Sequence, residues 1–255
     1  MITPIIKEGK DLTLEELKEL NAICQNINSF FSENHVEANH IEKTNPVFYL
    51  FKVEEKIAAF HAFSLFNLNT PFSTKKIPVI YINLSFKALN ADAHIKNYAK
   101  WSNNHFLKKH IGRFWYFKEF LLCFLTNNPK LAERSSTVFY QAHPLYSNQV
   151  TDELSAFCSD FVDNYLKVDA KMEAGIVLKN PKPYKMDIST KWKKLYEASQ
   201  EETNDFFIKN GIIIKEHSNY FLTGNQTLFI GYSSFSGMLK NVWRLFKEQR
   251  NPYKL

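Results

Sequence analysis

The sequence predicts a mixed α/β (α+β) fold, with a mixed central sheet and flanking helices. Three observations predict it. Two apolar runs with strand character, Ile77-Pro-Val-Ile-Tyr-Ile-Asn-Leu-Ser85 and Phe120-Leu-Leu-Cys-Phe-Leu-Thr126, are separated by a helix-like segment from Ala91 to His110. Strand, crossover and strand is how an α/β protein builds a parallel pair with a ligand crevice at the strand ends. Two aromatic and branched runs, Val47-Phe-Tyr-Leu-Phe-Lys-Val53 and Ile57 to Phe66, flank Glu54-Glu55 and read as an antiparallel hairpin. Finally, 255 residues that are 45% hydrophobic, with 23 Phe and 12 Tyr, can fill a substantial core.

The elements follow in order. Ile2 to Lys7 reads as a first strand. Thr13-Leu-Glu-Glu16 is a capping box, flanked by Leu12 and Leu17 at the staple positions, and opens a helix presenting Leu14, Leu17, Asn21 and Cys24. A second helical piece is expected over Ile27 to Ile41, burying Phe30, Phe31 and Val36, before Thr44-Asn45-Pro46 breaks the chain. After the hairpin, Asn67 to Lys76 reads as a loop. The strand at Phe120 stops at Asn127-Asn128-Pro129, where Asn128 caps a short helix and Pro129 takes its first position.

Beyond His143-Pro144 the pattern changes. Thr151 caps an amphipathic helix with Leu154, Phe157, Cys158, Phe161, Val162, Tyr165 and Leu166. Asn180-Pro-Lys-Pro183 is a linker, and Trp192, Leu195 and Tyr196 mark another helix. Phe206 to Ile214, Tyr220 to Leu222 and Thr227 to Ile230 read as closing strands, with a turn at Gly224-Asn225. Met238, Leu239, Val242, Trp243, Leu245 and Phe246 give a final helix. The division expected is a core over 1–143, a helical insertion over 144–200, and closing strands with the last helix over 201–255.

Composition excludes more than it assigns. Seven Gly among 255 residues, with no P-loop and no G-x-G-x-x-G, argue against nucleotide-cradling loops. A net charge of +6 is mild and makes nucleic acid an unlikely partner. The strongest basic cluster, Lys179 to Lys194, holds six Lys with Tyr184 and Trp192, and reads as a solvated segment or a docking surface for a phosphate-bearing partner. Cys24, Cys123 and Cys158 form no CxxC pair, which fits a reduced compartment. No secretory pattern is read in Met1 to Glu8, and no apolar run approaches ~18 residues, so no membrane span is expected. The expectation is a cytoplasmic protein. His35 with His40, and His105 with His110, are five apart, which is not the zinc spacing, and no metal is expected.

The candidate site lies at the strand ends. On the strand at Ile77 one face stays apolar, while the other runs Ile77, Val79, Tyr81, Asn83, Ser85 and turns polar. Asn83 and Ser85 are therefore expected to meet a ligand, water or the protein edge. His61, amid Ala, Phe and Leu, is either a satisfied core residue or the best-placed group for proton transfer. The amides opening the helix after Thr126 either are capped by Asn128 or hold an anion, with Arg134 in support.

This order of elements resembles the GNAT superfamily of N-acyltransferases over about Ile2 to Tyr140. The resemblance rests on strand, two helices, antiparallel hairpin, then strand, long helix, strand and helix, and on the Asn127-Asn128-Pro129 turn. It implies that the strands at Ile77–Ser85 and Phe120–Thr126 splay at their ends to take the pantetheine arm of an acyl donor. It implies transfer of an acyl group from a thioester, acyl-CoA or acyl carrier protein, to a small-molecule amine acceptor. His61, Asn83, Ser85 and Tyr140 become the catalytic candidates. Leu84, Phe86, Lys87, Asn127, Asn128 and Arg134 become the donor-binding candidates. The family's Q/R-x-x-G-x-G/A pyrophosphate loop has no counterpart, since Phe86-Lys-Ala-Leu-Asn-Ala-Asp-Ala-His94 contains no Gly. An acyl carrier protein, lacking the adenosine diphosphate portion, suits that departure. A non-catalytic binding protein of the same fold, or one making nucleic-acid or membrane contact through a basic surface, is the alternative.

Overall fold

The computed structural model describes residues 3–89, 91, 95, 97–144, 150–173 and 175–249, with side chains up to Trp243 in the last helix. Ile2, Asp92 and Arg250, and the side chains of Arg244, Leu245, Phe246 and Lys247, lie outside the described set. The chain forms two compact units that interleave along the sequence: Met1–Phe66, Ile80–Trp115 and Asp163–Val168 in one, and Asn67–Val79, Tyr116–Val162 and Asp169–Leu255 in the other.

The first unit contains β1 (Ile5–Glu8), α1 (Leu14–Ile27), a helical stretch Glu37–Ile41 running into the single turn α2 (Glu42–Thr44), β2 (Val47–Val53), the inner parts of β3 (Lys56–Thr70) and β4 (Ser73–Lys87), and α3 (Tyr98–His110). Its strand order is β1-β2-β3-β4. Antiparallel registers run Ile5↔Leu50 to Glu8↔Val47, and Val47↔Phe63 to Val53↔Lys56. Strand alternation then sorts the core. Phe48, Leu50, Phe60 and Ala62 face α1, where they bury Leu20, Ile23 and Cys24. Tyr49, Phe51 and Phe63, one residue along, face α3: the Phe63–Phe106 ring centroids are 4.5 Å apart, Phe51–Tyr98 5.8 Å and Tyr49–Trp101 6.2 Å. Each such side chain contributes roughly 1.5–3 kcal/mol by leaving water.

Local chemistry fixes α1. Thr13 Oγ1 accepts from the Glu16 amide at 3.2 Å, and Glu16 Oε2 accepts from the Thr13 amide at 3.0 Å, so the expected capping box is present. The Glu16 carboxylate also accepts from Lys7 of β1 at 2.8 Å and pairs with Lys52 of β2 at 3.3 Å, tying the helix to both strands. Burial would raise the pKa of Glu16, but these partners outweigh it and hold the carboxyl below its usual range.

The second unit contains β5 (Phe120–Thr126), α4 (Pro129–Ser136), β6 (Gln141–His143), α5 (Asp152–Asp160), β7 (Lys171–Glu173), β8 (Val177–Lys179), β9 (Met186–Asp187), α6 (Glu201–Lys209), β10 (Ile213–Glu216), β11 (Asn219–Leu222), β12 (Gln226–Ser233) and α7 (Phe235–Gln249). β12 is its central strand, antiparallel to β5 from Thr227↔Thr126 to Ser233↔Phe120, and also paired with β6 and β8. Gly231 lies beneath the Phe139 ring, which occupies the space a Cβ would need. β10, β11 and β9 form a separate three-stranded sheet. Gly224, at φ 86°, turns the chain from β11 into β12 as expected, in the left-handed region open to glycine.

Several expectations change. Asn67 to Lys76 is not a loop: β3 runs on to Thr70 and β4 starts at Ser73. Buried Leu68 between exposed Asn67 and Asn69 is a strand alternation that polar composition concealed. Phe206 to Lys209 is helical, not a strand, because Glu201 and Glu202 open α6 and Thr203 and Phe207 share its buried face. Ile27 to Ile41 is not one helix, since α1 ends at Ile27 and the chain turns helical again only near Glu37. Segment 144–200 holds β7, β8 and β9 as well as helix.

Candidate functional site

The polar face foreseen on β4 folds inward at Asn83. Its Nδ2 donates to Ser64 Oγ at 2.9 Å, and its Oδ1 accepts from Thr44 Oγ1 at 2.8 Å. His40 Nδ1 lies 3.3 Å from the same Oδ1, which requires the Nδ1–H tautomer. Asn83 is thus held by three neighbours and is buried. This corrects the expectation that it faces a ligand or water: the polarity of the strand end is answered by α2 and β3. Ser64 shares the α1 side of β3 with Phe60 and Ala62, and Leu84 packs in the α1 cluster too. Consecutive residues Asn83 and Leu84 therefore lie on the same side, so side-chain alternation lapses there, as an extra residue in a strand produces.

After that lapse Ser85 returns to the α3 side. Its Oγ lies 3.1 Å from the Tyr98 phenol oxygen. Burial raises the pKa of Tyr98, and the Ser85 hydrogen bond opposes the rise, so the phenol stays protonated at neutral pH. His61 belongs to the same neighbourhood, its ring centroid 4.2 Å from Phe63 and 6.3 Å from Tyr98. It is 1% exposed and neither ring nitrogen makes a hydrogen bond of acceptable geometry. Burial lowers its pKa to about 3, with the nearby Ala99 backbone opposing slightly. Of the two readings of His61, the structure places it in the core.

The donor-binding candidates divide. Leu84 is buried in the α1 core, and Phe86 packs half-buried against it, its ring 5.9 Å from Phe60. Lys87 is half-buried at the end of β4. Asn127, Asn128, Arg134 and Tyr140 belong to the second unit. Asn128 caps α4, its Oδ1 accepting from the Leu131 amide at 3.1 Å while its Nδ2 donates to Leu195 O at 3.0 Å. This amide is occupied by its cap and not offered to an anion. Asn127 is half-buried beside it. Arg134 lines an open cleft of about 540 Å³ with Lys130, Glu133 and Lys193. Glu133 there accepts from the Ser199 and Gln200 amides that open α6. Tyr140 is 41% exposed and sits beneath Lys240 of α7, whose Nζ is 5.2 Å from the ring centroid.

Two other chemistries, an activated thiolate and a metal centre, find no residues among those described. Burial pushes Cys24 and Cys158 up to about 12 and Cys123 higher than its usual range, so none is an activated thiolate. Among the described residues no group of three or more His, Cys, Asp or Glu could hold a metal ion, and no helix is long and apolar enough to cross a membrane. The basic segment Lys179 to Lys194 is woven into its unit: Lys179 donates to Asn210 O at 2.7 Å, Lys185 pairs with Glu216 at 2.6 Å, and Trp192 stacks on Tyr220 at 4.0 Å.

Sequence reasoning missed Tyr98, Thr44 and Ser64. Tyr98 opens α3 one turn before Trp101, and that spacing against the aromatic strand β2 was a usable signal. Thr44 and Ser64 gave none, because their meeting with Asn83 joins residues 39 and 19 positions apart.

Strand, α1 and α2, the β2–β3 hairpin, β4, α3, β5 and α4 follow in the order the resemblance implies. Up to α4 the order of elements is GNAT-like. No family model and no curated protein sequence matches it. Among solved structures, it is similar to an integron cassette protein from the mobile metagenome of V. cholerae, at 12% identity and TM-score 0.37, covering 54% of this chain and 85% of that one. It is similar to an aminoglycoside N-acetyltransferase in complex with CoA, at 10% identity and TM-score 0.28, covering 41% and 72%. It is similar to a GNAT family acetyltransferase from Elizabethkingia anophelis with acetyl-CoA bound, at 12% identity and TM-score 0.31, covering 90% and 97%. Identities and TM-scores this low transfer no residue role to this chain.

Proposed function

We propose that this protein is an acyltransferase moving an acyl group from a thioester to an amine. The observation that carries the reading is the GNAT-like order of elements, with Asn128 and Pro129 opening α4 directly after β5. The donor is an acyl-CoA or an acyl carrier protein. The acceptor is a small-molecule amine. A neutral amine attacks the thioester carbonyl, the C–N bond forms, and the C–S bond breaks to release a thiolate. Most of the rate comes from positioning the two reactants.

Within the first unit, Ser85 and Tyr98 form a two-hydroxyl chain able to pass a proton to the departing sulfur, while water takes the proton lost by the amine. Asn83 is a positioning residue that fixes the end of β4 through Thr44 and Ser64. His61, neutral with a pKa near 3, is a poor proton acceptor and has no assigned step. The test is release of free thiol from acetyl-CoA, long-chain acyl-CoA and acyl carrier protein, with a panel of amines.

A second reading, a non-catalytic binding protein on the same scaffold, is favoured by the internal satisfaction of Asn83 and the burial of His61. A thioester that stabilises the protein without thiol release, whatever amine is added, would select that reading.

A further inference from the structure

Helix α7 shows its apolar side outward, and we propose that this side docks onto the surface of an anionic lipid bilayer. Phe235, Leu239 and Val242 stand at positions i, i+4 and i+7, with Trp243 beside them, and they are 52%, 51%, 42% and 62% exposed. The stripe continues through Phe117, whose ring centroid is 5.5 Å from that of Phe235. Among the described side chains of the helix, those turned toward its own unit are small or polar apart from the half-buried Met238. Gly237 lies against Tyr140, Lys240 covers the Tyr140 ring, and Asn241 Nδ2 donates to Val138 O at 3.0 Å. A helix packed on a globular core has the opposite arrangement, with its apolar stripe turned in. An exposed apolar patch of this kind marks an interaction surface.

Charge selects the occupant. The helix carries Lys240, Arg244 and Lys247 against one acidic residue, Glu248. A second copy of this helix would add like charge to like, three basic residues against one acidic on each. An anionic bilayer satisfies both features at once, since basic residues attract the headgroups while Trp, Phe and Leu enter the interface. Among the described residues no helix is long and apolar enough to span the hydrocarbon, and a helix with one apolar side, as α7 has, suits the interfacial plane. The proposal is independent of the acyl-transfer reading.

The test uses the full chain with phosphatidylcholine vesicles, with and without phosphatidylglycerol. Expected are co-sedimentation with the anionic vesicles only, a blue shift of tryptophan emission, and loss of both at high salt. Trp243→Phe should keep the binding and remove most of the shift. Leu239→Ser with Val242→Ser should abolish binding with an unchanged circular dichroism spectrum, since both residues are exposed. Lys240→Glu should weaken binding at least about fivefold. Failure of the wild-type chain to bind anionic vesicles would overturn the proposal. So would equal binding to neutral vesicles. So would a concentration-dependent dimer, lost in the double serine variant, in a chain that ignores vesicles.

Discussion

The hydroxyl oxygens of Ser85 and Tyr98, 3.1 Å apart, join the last turn-out of β4 to the first turn of α3. Both hydroxyls are part-buried, and Tyr98→Phe keeps the ring that packs on Phe51 while removing only the hydroxyl. If this pair passes a proton to a departing thiolate, Tyr98→Phe and Ser85→Ala should each lower kcat by about 10- to 100-fold with little change in KM. Steady-state thiol release measures this. A change in KM alone would mean that the pair only shapes a binding surface.

Asn83 is a stability determinant. Asn83→Ala removes the bonds to the Thr44 and Ser64 hydroxyls, which keep backbone acceptors in His40 O at 3.1 Å and Thr44 O at 3.3 Å, so each lost bond costs about 1 kcal/mol. Denaturant unfolding should show a loss of about 2 kcal/mol. Thr44→Val, which removes one of the bonds, should cost less.

Acid should weaken the fold through its buried histidines. Burial lowers His40 and His61 to about 3 from 6.5, with His35 adding repulsion at His40. The unfolded chain therefore binds more protons between these values. The stability contributed is fully present above pH 6.5 and is lost as pH falls from 6.5 toward 3. His61→Phe removes one such group from an aromatic setting, so Tm should vary less steeply with pH than in the wild-type chain. Thermal melts across this range test the sign.

The hairpin turn between β2 and β3 stores strain. Glu54 and Glu55 have φ of 49° and 64°, the left-handed pair that a tight hairpin demands, and neither residue favours it. Glu54→Asn with Glu55→Gly should stabilise the protein by about 1–2 kcal/mol, read by denaturant unfolding.

The parts of this fold legible in the sequence are those decided locally. The Thr13–Glu16 box, the Asn128 cap with Pro129, and the strand Phe120–Thr126 are each written in a few adjacent residues. The long β3–β4 hairpin was obscured because its outer half alternates apolar and polar residues that also suit a loop. α6 was obscured because Phe206 and Phe207 suit either helix or strand. The site was legible only in outline. The polar turn at Asn83 and Ser85 was visible, but what answers it, Thr44, Ser64 and Tyr98, arrives through tertiary contacts that no spacing announces.

The most direct measurement is thiol release from a thioester donor in the presence of an amine panel, followed together with mass analysis of the amine. The expected result is an amine heavier by one acyl group, formed in step with the thiol and slowed in Tyr98→Phe. No acylated amine from acyl-CoA or acyl carrier protein, with the folded protein intact, would contradict it.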